Sequence, residues 1–160
     1  MRAFTVALMI WGFSGFAFCQ TKPQTAVSPF KIKKEELKST LVKLGFATKD
    51  LGNSLYQVTI GAEPDQLNII VSISASQSKI WLTYSVGILS DDQKHDPDFL
   101  YGLLEKNGEI QPAHFYVRKN RLGIGFPIDN RSATATILKK EIENFAETVR
   151  KVLEKLTTIS

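Results

Sequence analysis

The sequence is poor in residues that perform covalent, redox or metal chemistry. Among 160 residues there is one cysteine, Cys19, and there are two histidines, His95 and His114. A single thiol excludes a disulfide framework within the chain and a multi-cysteine zinc site. No P-loop occurs, and no serine stands in a nucleophile elbow, so a hydrolase triad has no support. Long basic runs are missing as well. Twenty basic residues stand against sixteen acidic ones, a net charge of +4, without the continuous stripe or reading helix that nucleic-acid binding requires. Neither an internal repeat nor a low-complexity tract is present. What remains is an ordinary globular mixture, 43% hydrophobic and 22% charged. Ten Phe, four Tyr and two Trp can build a sizeable core, and the length suits one domain.

The start of the chain reads differently from the rest. Met1-Arg2 precedes an uncharged apolar run, Ala3–Phe18, and then Cys19-Gln20 and a polar, proline-containing stretch. A short positive start, an apolar run and small residues at a boundary describe a secretory signal peptide, with Ala17 and Cys19 at the small positions and cleavage before Gln20. Two other readings use the same residues. Retention as a membrane anchor asks for roughly 20 apolar residues, more than this run offers. Lipidation of Cys19 prefers a small residue before it, where Phe18 stands. The expected organisation is a signal peptide over residues 1–19, a linker over 20–32 and a single domain over 33–160. The mature chain then lacks any thiol, its location is periplasmic or extracellular, and it meets the membrane only transiently through the signal segment.

Within the domain, Leu37, Leu41 and Leu44 mark a helix that stops at Gly45. Three runs with strict alternation follow, Tyr56–Ile60, Leu67–Ala75 and Ile80–Ile88, and read as a half-buried antiparallel meander. Ser90–Asp98 is a polar loop. Asp96-Pro97 suits the cap and first turn of a second helix carrying Phe99, Leu100, Leu103 and Leu104 and ending near Asn107-Gly108. A β-hairpin turns at Lys119-Asn120, with Pro127 predicting an edge or strand end. Leu138, Ile142, Phe145, Val149, Val152 and Leu156 then define a long amphipathic helix with one face on the sheet. Helices and strands in separate runs give an α+β fold.

This order resembles the YbjN-like family, whose fold is that of class I type III secretion chaperones. The likeness is best over Phe99–Ile110, His114–Ile128 and the closing helix, and covers residues 33–157 in element order. It implies a small domain that often dimerises and acts by binding protein, with no established reaction. The export signal sets this chain apart from the cytoplasmic chaperones.

Candidate chemistry is sparse. Asp91, Asp92, His95, Asp96 and Asp98 offer hard oxygens and an imidazole, so a metal-dependent enzyme with its site at 91–98 is one alternative. Their plainer role is a polar loop and helix cap, and the spacing is not that of an EF-hand. A structural envelope protein anchored by its N-terminus is another alternative. Gly123-Ile124-Gly125 is an incomplete dinucleotide fingerprint in a hairpin strand, where glycines serve bending or close packing. Lys31, Lys33 and Lys34, and again Arg118, Lys119 and Arg121, read as solvated charge. Asn130-Arg131-Ser132 is a glycosylation sequon, meaningful only in a eukaryotic secretory pathway. Trp81 falls on the opposite parity from Ile80, Leu82 and Tyr84, and Tyr101 stands apart from the leucines of its helix. Outward aromatics are commoner at interfaces than on inert surface. The expectation is therefore a non-enzymatic, exported, protein-binding or chaperone-like domain. It has no catalytic, metal or cofactor residues, no nucleic-acid partner, and Trp81 and Tyr101 as candidate contacts for a protein partner or a second copy.

Overall fold

The computed structural model describes residues 32–157; the expected signal segment and nearly all of the linker lie outside them. A 3-10 turn, Lys34–Glu36, leads into α1, Leu37–Lys43. Leu37 and Leu41, one helical turn apart, are fully buried. Gly45 takes a φ of 89°, a left-handed conformation that glycine adopts without steric cost, and the helix ends there. Phe46 then packs back on the core.

Four strands follow as successive antiparallel neighbours: β1 Ala47–Asp50, β2 Leu55–Ile60, β3 Leu67–Ile73 and β4 Lys79–Ile88. Next come α2 Asp91–His95 and α3 Pro97–Glu109, the hairpin β5 His114–Arg118 and β6 Arg121–Asp129, and α4 Ala135–Thr157. The six strands form one sheet in the order β1-β2-β3-β4-β6-β5, antiparallel throughout. The fold is α+β, with the helix order and long closing helix expected. Two elements were not anticipated. The strand β1 has no apolar alternation and exists because the chain leaving Gly45 lies beside β2. The helix α2 occupies the expected polar loop and forms because Ser90 and Gln93 cap one another's backbone N–H groups.

The sheet buries one face. Val58, Ile69, Val71, Ile80, Leu82 and Ile124 are inaccessible to solvent on the side where α1, α3 and α4 lie. The stripe of α4 meets them: Leu138, Ile142, Phe145 and Val149 are fully buried and Val152 nearly so; the Leu156 side chain lies outside the described residues. Among the described residues no helix is long and apolar enough to cross a membrane.

One irregularity re-aims a side chain. The β4–β6 register shifts between Ser85 and Gly87. The extra residue, Val86, stays partly in the core, and Ile88 is turned to the opposite face, where it is 69% exposed. Simple alternation had placed Ile88 inward. Pro127 pairs with Trp81 of β4, while β5 reaches only to Gly125 on the other side of β6. Its missing N–H therefore points where no strand lies, so β6 is a local edge at Pro127, while the strand itself runs on to Asp129 against β4.

The polar residue Asn130 is sealed inside the domain at 0% exposure. Its Nδ2 donates to the carbonyls of Ile32 and Gln77, each at 2.8 Å, and its Oδ1 accepts from the Ile32 N–H at 3.2 Å. In the folded domain the sequon nitrogen thus has both hydrogens committed and no route to solvent.

Candidate functional site

An apolar groove of about 300 Å³ lies between α3 and the β5–β6 hairpin. One wall carries Leu100, Leu103 and Leu104; the other carries Phe115, Val117 and Leu122. The walls are held at both ends of the helix. Asp96 caps α3, its Oδ1 accepting from the N–H groups of Asp98 at 3.0 Å and Phe99 at 3.3 Å, with Pro97 in the first turn. At the other end the Phe115 N–H donates to Asn107 Oδ1 at 2.6 Å, which ties α3 to β5. Within this frame α3 buries only Leu103 fully enough to count as core. Leu104 is 64% exposed and Val117 50%, and Tyr101, one turn before Leu104, is 67% exposed. Leu104, grouped in sequence with Leu100 and Leu103, lies on the rim, because this segment rests on the core through Leu103, Phe99 and Ile110. β5 is also an edge strand.

Trp81 and Tyr101 do not meet. Tyr101 projects from α3 beside the groove. Trp81 lies half-buried on the sheet face turned away from the helices, edge-on to His114 with ring centroids 6.0 Å apart. His114 in turn lies 6.5 Å from Tyr116. The glycines of β6 make room for these rings. A Cβ on Gly123 would fall 2.6 Å from Tyr116 Cζ, and one on Gly125 would fall 3.2 Å from His114 Nε2. Close packing is therefore what Gly123 and Gly125 serve. The groove contacts Leu104 and Val117 were missed in sequence because alternation marks apolar positions without saying which of them a neighbour will cover.

Of the acids at 91–98, Asp91 and Asp96 are occupied by local structure. Lys94 Nζ bonds Asp91 Oδ1 at 2.6 Å, the His95 Nδ1–H donates to the Asp91 carbonyl at 2.8 Å, and Asp96 serves as the cap of α3. Among the described residues no group of three or more His, Cys, Asp or Glu side chains could hold a metal ion. The salt bridge to Lys94 holds the Asp91 carboxyl below its ordinary range. Asp129 shows the strongest shift: the Arg131 side chain, at 2.9 Å, and then the Arg131 backbone N–H hold its carboxyl far below the usual aspartate value.

A six-stranded antiparallel sheet with its helices on one side and a long C-terminal helix across it defines a class of small α+β domains. No protein-family model matches the chain, and no curated protein matches it in sequence. Among solved structures, the chain is similar to YbjN, a candidate transcription regulator from E. coli. The TM-score is 0.53 at 10% identity, over 79% of this chain and 92% of that one. At this identity the likeness is one of fold, and it is the YbjN-like fold that the element order suggested. A chain of the HopA1–SchA chaperone–effector complex aligns with a TM-score of 0.47 at 12% identity, over 74% of this chain and 90% of that one.

Proposed function

We propose that this protein is a non-enzymatic, exported, protein-binding domain that takes an apolar segment of a partner protein into the groove between α3 and β5. The observation that carries the reading is the exposure of Leu104 and Val117 on facing walls of one groove. Apolar side chains gathered in a concave, rigidly framed site gain free energy when a partner covers them, and an aromatic at the rim is a common anchor. The side chains of Asp91, His95 and Asp96 brace or cap their own helices, and among the described residues no three metal-ligating groups of that segment gather, so the segment adds no competing reading.

Leu104→Lys and Val117→Lys, alone and combined, test the groove. Both positions are exposed, so each single variant should melt within about 0.5 kcal/mol of the parent. Crosslinking in intact cells should join the parent to a specific protein, and the double variant should lose that product. Identical crosslinked products for parent and double variant would remove the groove from the function. Self-association lost in the double variant, followed by sedimentation, would identify the partner as a second copy.

The exported location rests on the sequence of residues 1–19. Intact-mass measurement of the protein recovered from its cells should give a chain beginning at Gln20. A soluble cytoplasmic form retaining Met1 would overturn that part of the reading.

A further inference from the structure

The sheet face turned away from the helices carries a charge pattern that the groove does not use. The strand register sends Lys49, Lys79, Arg118 and Arg121 to this face. Of the two aspartates borne by strands, Asp50 faces the helices and takes Lys38 at 3.2 Å. Asp129 alone turns outward, and it is already engaged by Arg131 at 2.9 Å and Lys79 at 3.5 Å. Arg118 and Arg121 stand directly opposite one another and make no ion pair among the described residues. Like charges in a cross-strand pair destabilise a sheet. An edge strand carries such charges to deter unwanted pairing, which accounts for Arg118. It does not account for Arg121, whose strand lies inside the sheet between β4 and β5.

The rest of the face is neutral. Beside the two arginines lies the ring cluster of Tyr116, His114 and Trp81, seated over the bare backbone at Gly123 and Gly125. Beyond it come hydroxyl and amide side chains, among them Thr83, Asn68 and Thr59. Lys49 closes the far side on β1, level with Gly125 of β6 and four strand intervals across from it, or about 19 Å. The arrangement is cationic at its margins, with aromatic, hydroxyl and amide side chains between them, interrupted by Ile70 at the centre and Ile88 beside Arg121.

We infer that this face binds an acidic polysaccharide in which carboxylated sugars alternate with neutral ones. The pyranose C–H faces would lie on Trp81 and Tyr116, the hydroxyls on the Thr and Asn side chains, and the carboxylates on Arg118, Arg121 and Lys49. A nucleic-acid strand suits the face less well, because it carries a phosphate at every nucleotide and would set several over the neutral centre. The proposal concerns the sheet face behind the α3–β5 groove, the two surfaces meeting at Tyr116, and is tested independently of the groove through Arg118, Arg121 and Trp81, which do not line it.

The test is calorimetric titration of the full chain at low salt with a hyaluronan decasaccharide, which alternates charged and neutral sugars. The comparison probes are a neutral N-acetylglucosamine hexamer and a dodecamer of thymidylate. The decasaccharide should bind most tightly of the three, with an affinity that falls as salt is raised. Arg118→Gln with Arg121→Gln should weaken it roughly ten-fold, and Trp81→Leu, which keeps an apolar side chain but removes the ring, by a similar factor. Melting temperatures close to the parent's would show that these variants are folded. Leu104→Lys, in the groove, should leave the affinity unchanged. Unaltered affinity in the arginine and tryptophan variants would overturn the proposal, as would equal binding of the neutral hexamer. Tighter binding of the thymidylate would overturn it in favour of nucleic acid, and failure of the decasaccharide to bind would overturn it outright.

Discussion

Phe145→Ala is expected to lower the unfolding free energy by about 3–5 kcal/mol, a large part of the stability of a typical domain. Phe145 is fully buried at the middle of α4, and its ring lies 5.9 Å from that of Phe126 on β6, tilted by 50°. It is the side chain through which the helix and the centre of the sheet meet. Its neighbours on the stripe, Ile142 and Val149, are also inaccessible to solvent, and Ala146 beside it is too small to fill the space. Truncation therefore leaves a cavity that the surroundings can close only in part. Glu147→Ala provides the comparison two residues on. Glu147 is exposed and makes only long contacts, 3.8 Å to Arg150 and 3.8 Å to Lys151. Its loss should cost under about 0.5 kcal/mol. Denaturant melting of the two variants measures the difference, and equal midpoints would mean that α4 does not rest on the sheet through this face.

Phe145 was legible in the sequence because a helical stripe of six apolar residues in a 4, 3, 4, 3, 4 rhythm has one physical solution, a buried face. The same is true of β3, where each second residue from Leu67 to Ile73 is buried. Legibility failed where the cause lay in a neighbour. Ala47–Asp50 has no pattern of its own and becomes a strand through pairing with β2. Ile88 obeys the alternation in sequence and violates it in space, because one extra residue at Val86 reverses the parity. The candidate site divides along the same line. The exposure of Tyr101 could be read in the sequence because it stands apart from Leu100 and Leu103 of its own helix. That of Leu104 could not, since it depends on how far α3 leans toward β5. The facing arginines were visible as charge, but their pairing exists only once the turn at Lys119-Asn120 sets the register. Both turn residues take positive φ, 47° and 64°, the conformation of a tight hairpin that matches the twist of the strands.

Asn130→Ala is expected to destabilise the domain about as much as the loss of Phe145, for a different reason. The Asn130 amide joins three segments that are distant in sequence: Ile32 at the start of the described chain, Gln77 in the β3–β4 turn, and its own position at the end of β6. Removing it strands the Ile32 N–H and carbonyl in a buried site and the Gln77 carbonyl in a partly buried one. Each orphaned group costs about 1–3 kcal/mol, so a total loss of about 3–5 kcal/mol follows even with partial relaxation. Asn130→Asp separates the hydrogen bonds from the volume. The introduced carboxyl fills the same space and can still accept from the Ile32 N–H, but when ionised it faces the carbonyls of Ile32 and Gln77 with no hydrogen to give. Burial and those two oxygens raise its pKa in the folded state above the unfolded value of about 3.9. The sign follows: below that unfolded value both states hold the proton, and the variant keeps one donor. As pH rises above it, the unfolded chain gives up its proton more readily, and the deficit against the parent grows until the folded carboxyl also ionises. Melting of both variants between pH 3 and pH 7 reads this directly. Slowed hydrogen exchange of the Ile32 amide in the parent, lost in the alanine variant, would locate the effect at the clasp. A pH-independent deficit for Asn130→Asp, or parent-like melting of Asn130→Ala, would show that the three segments are held together by their apolar packing and that the amide is dispensable.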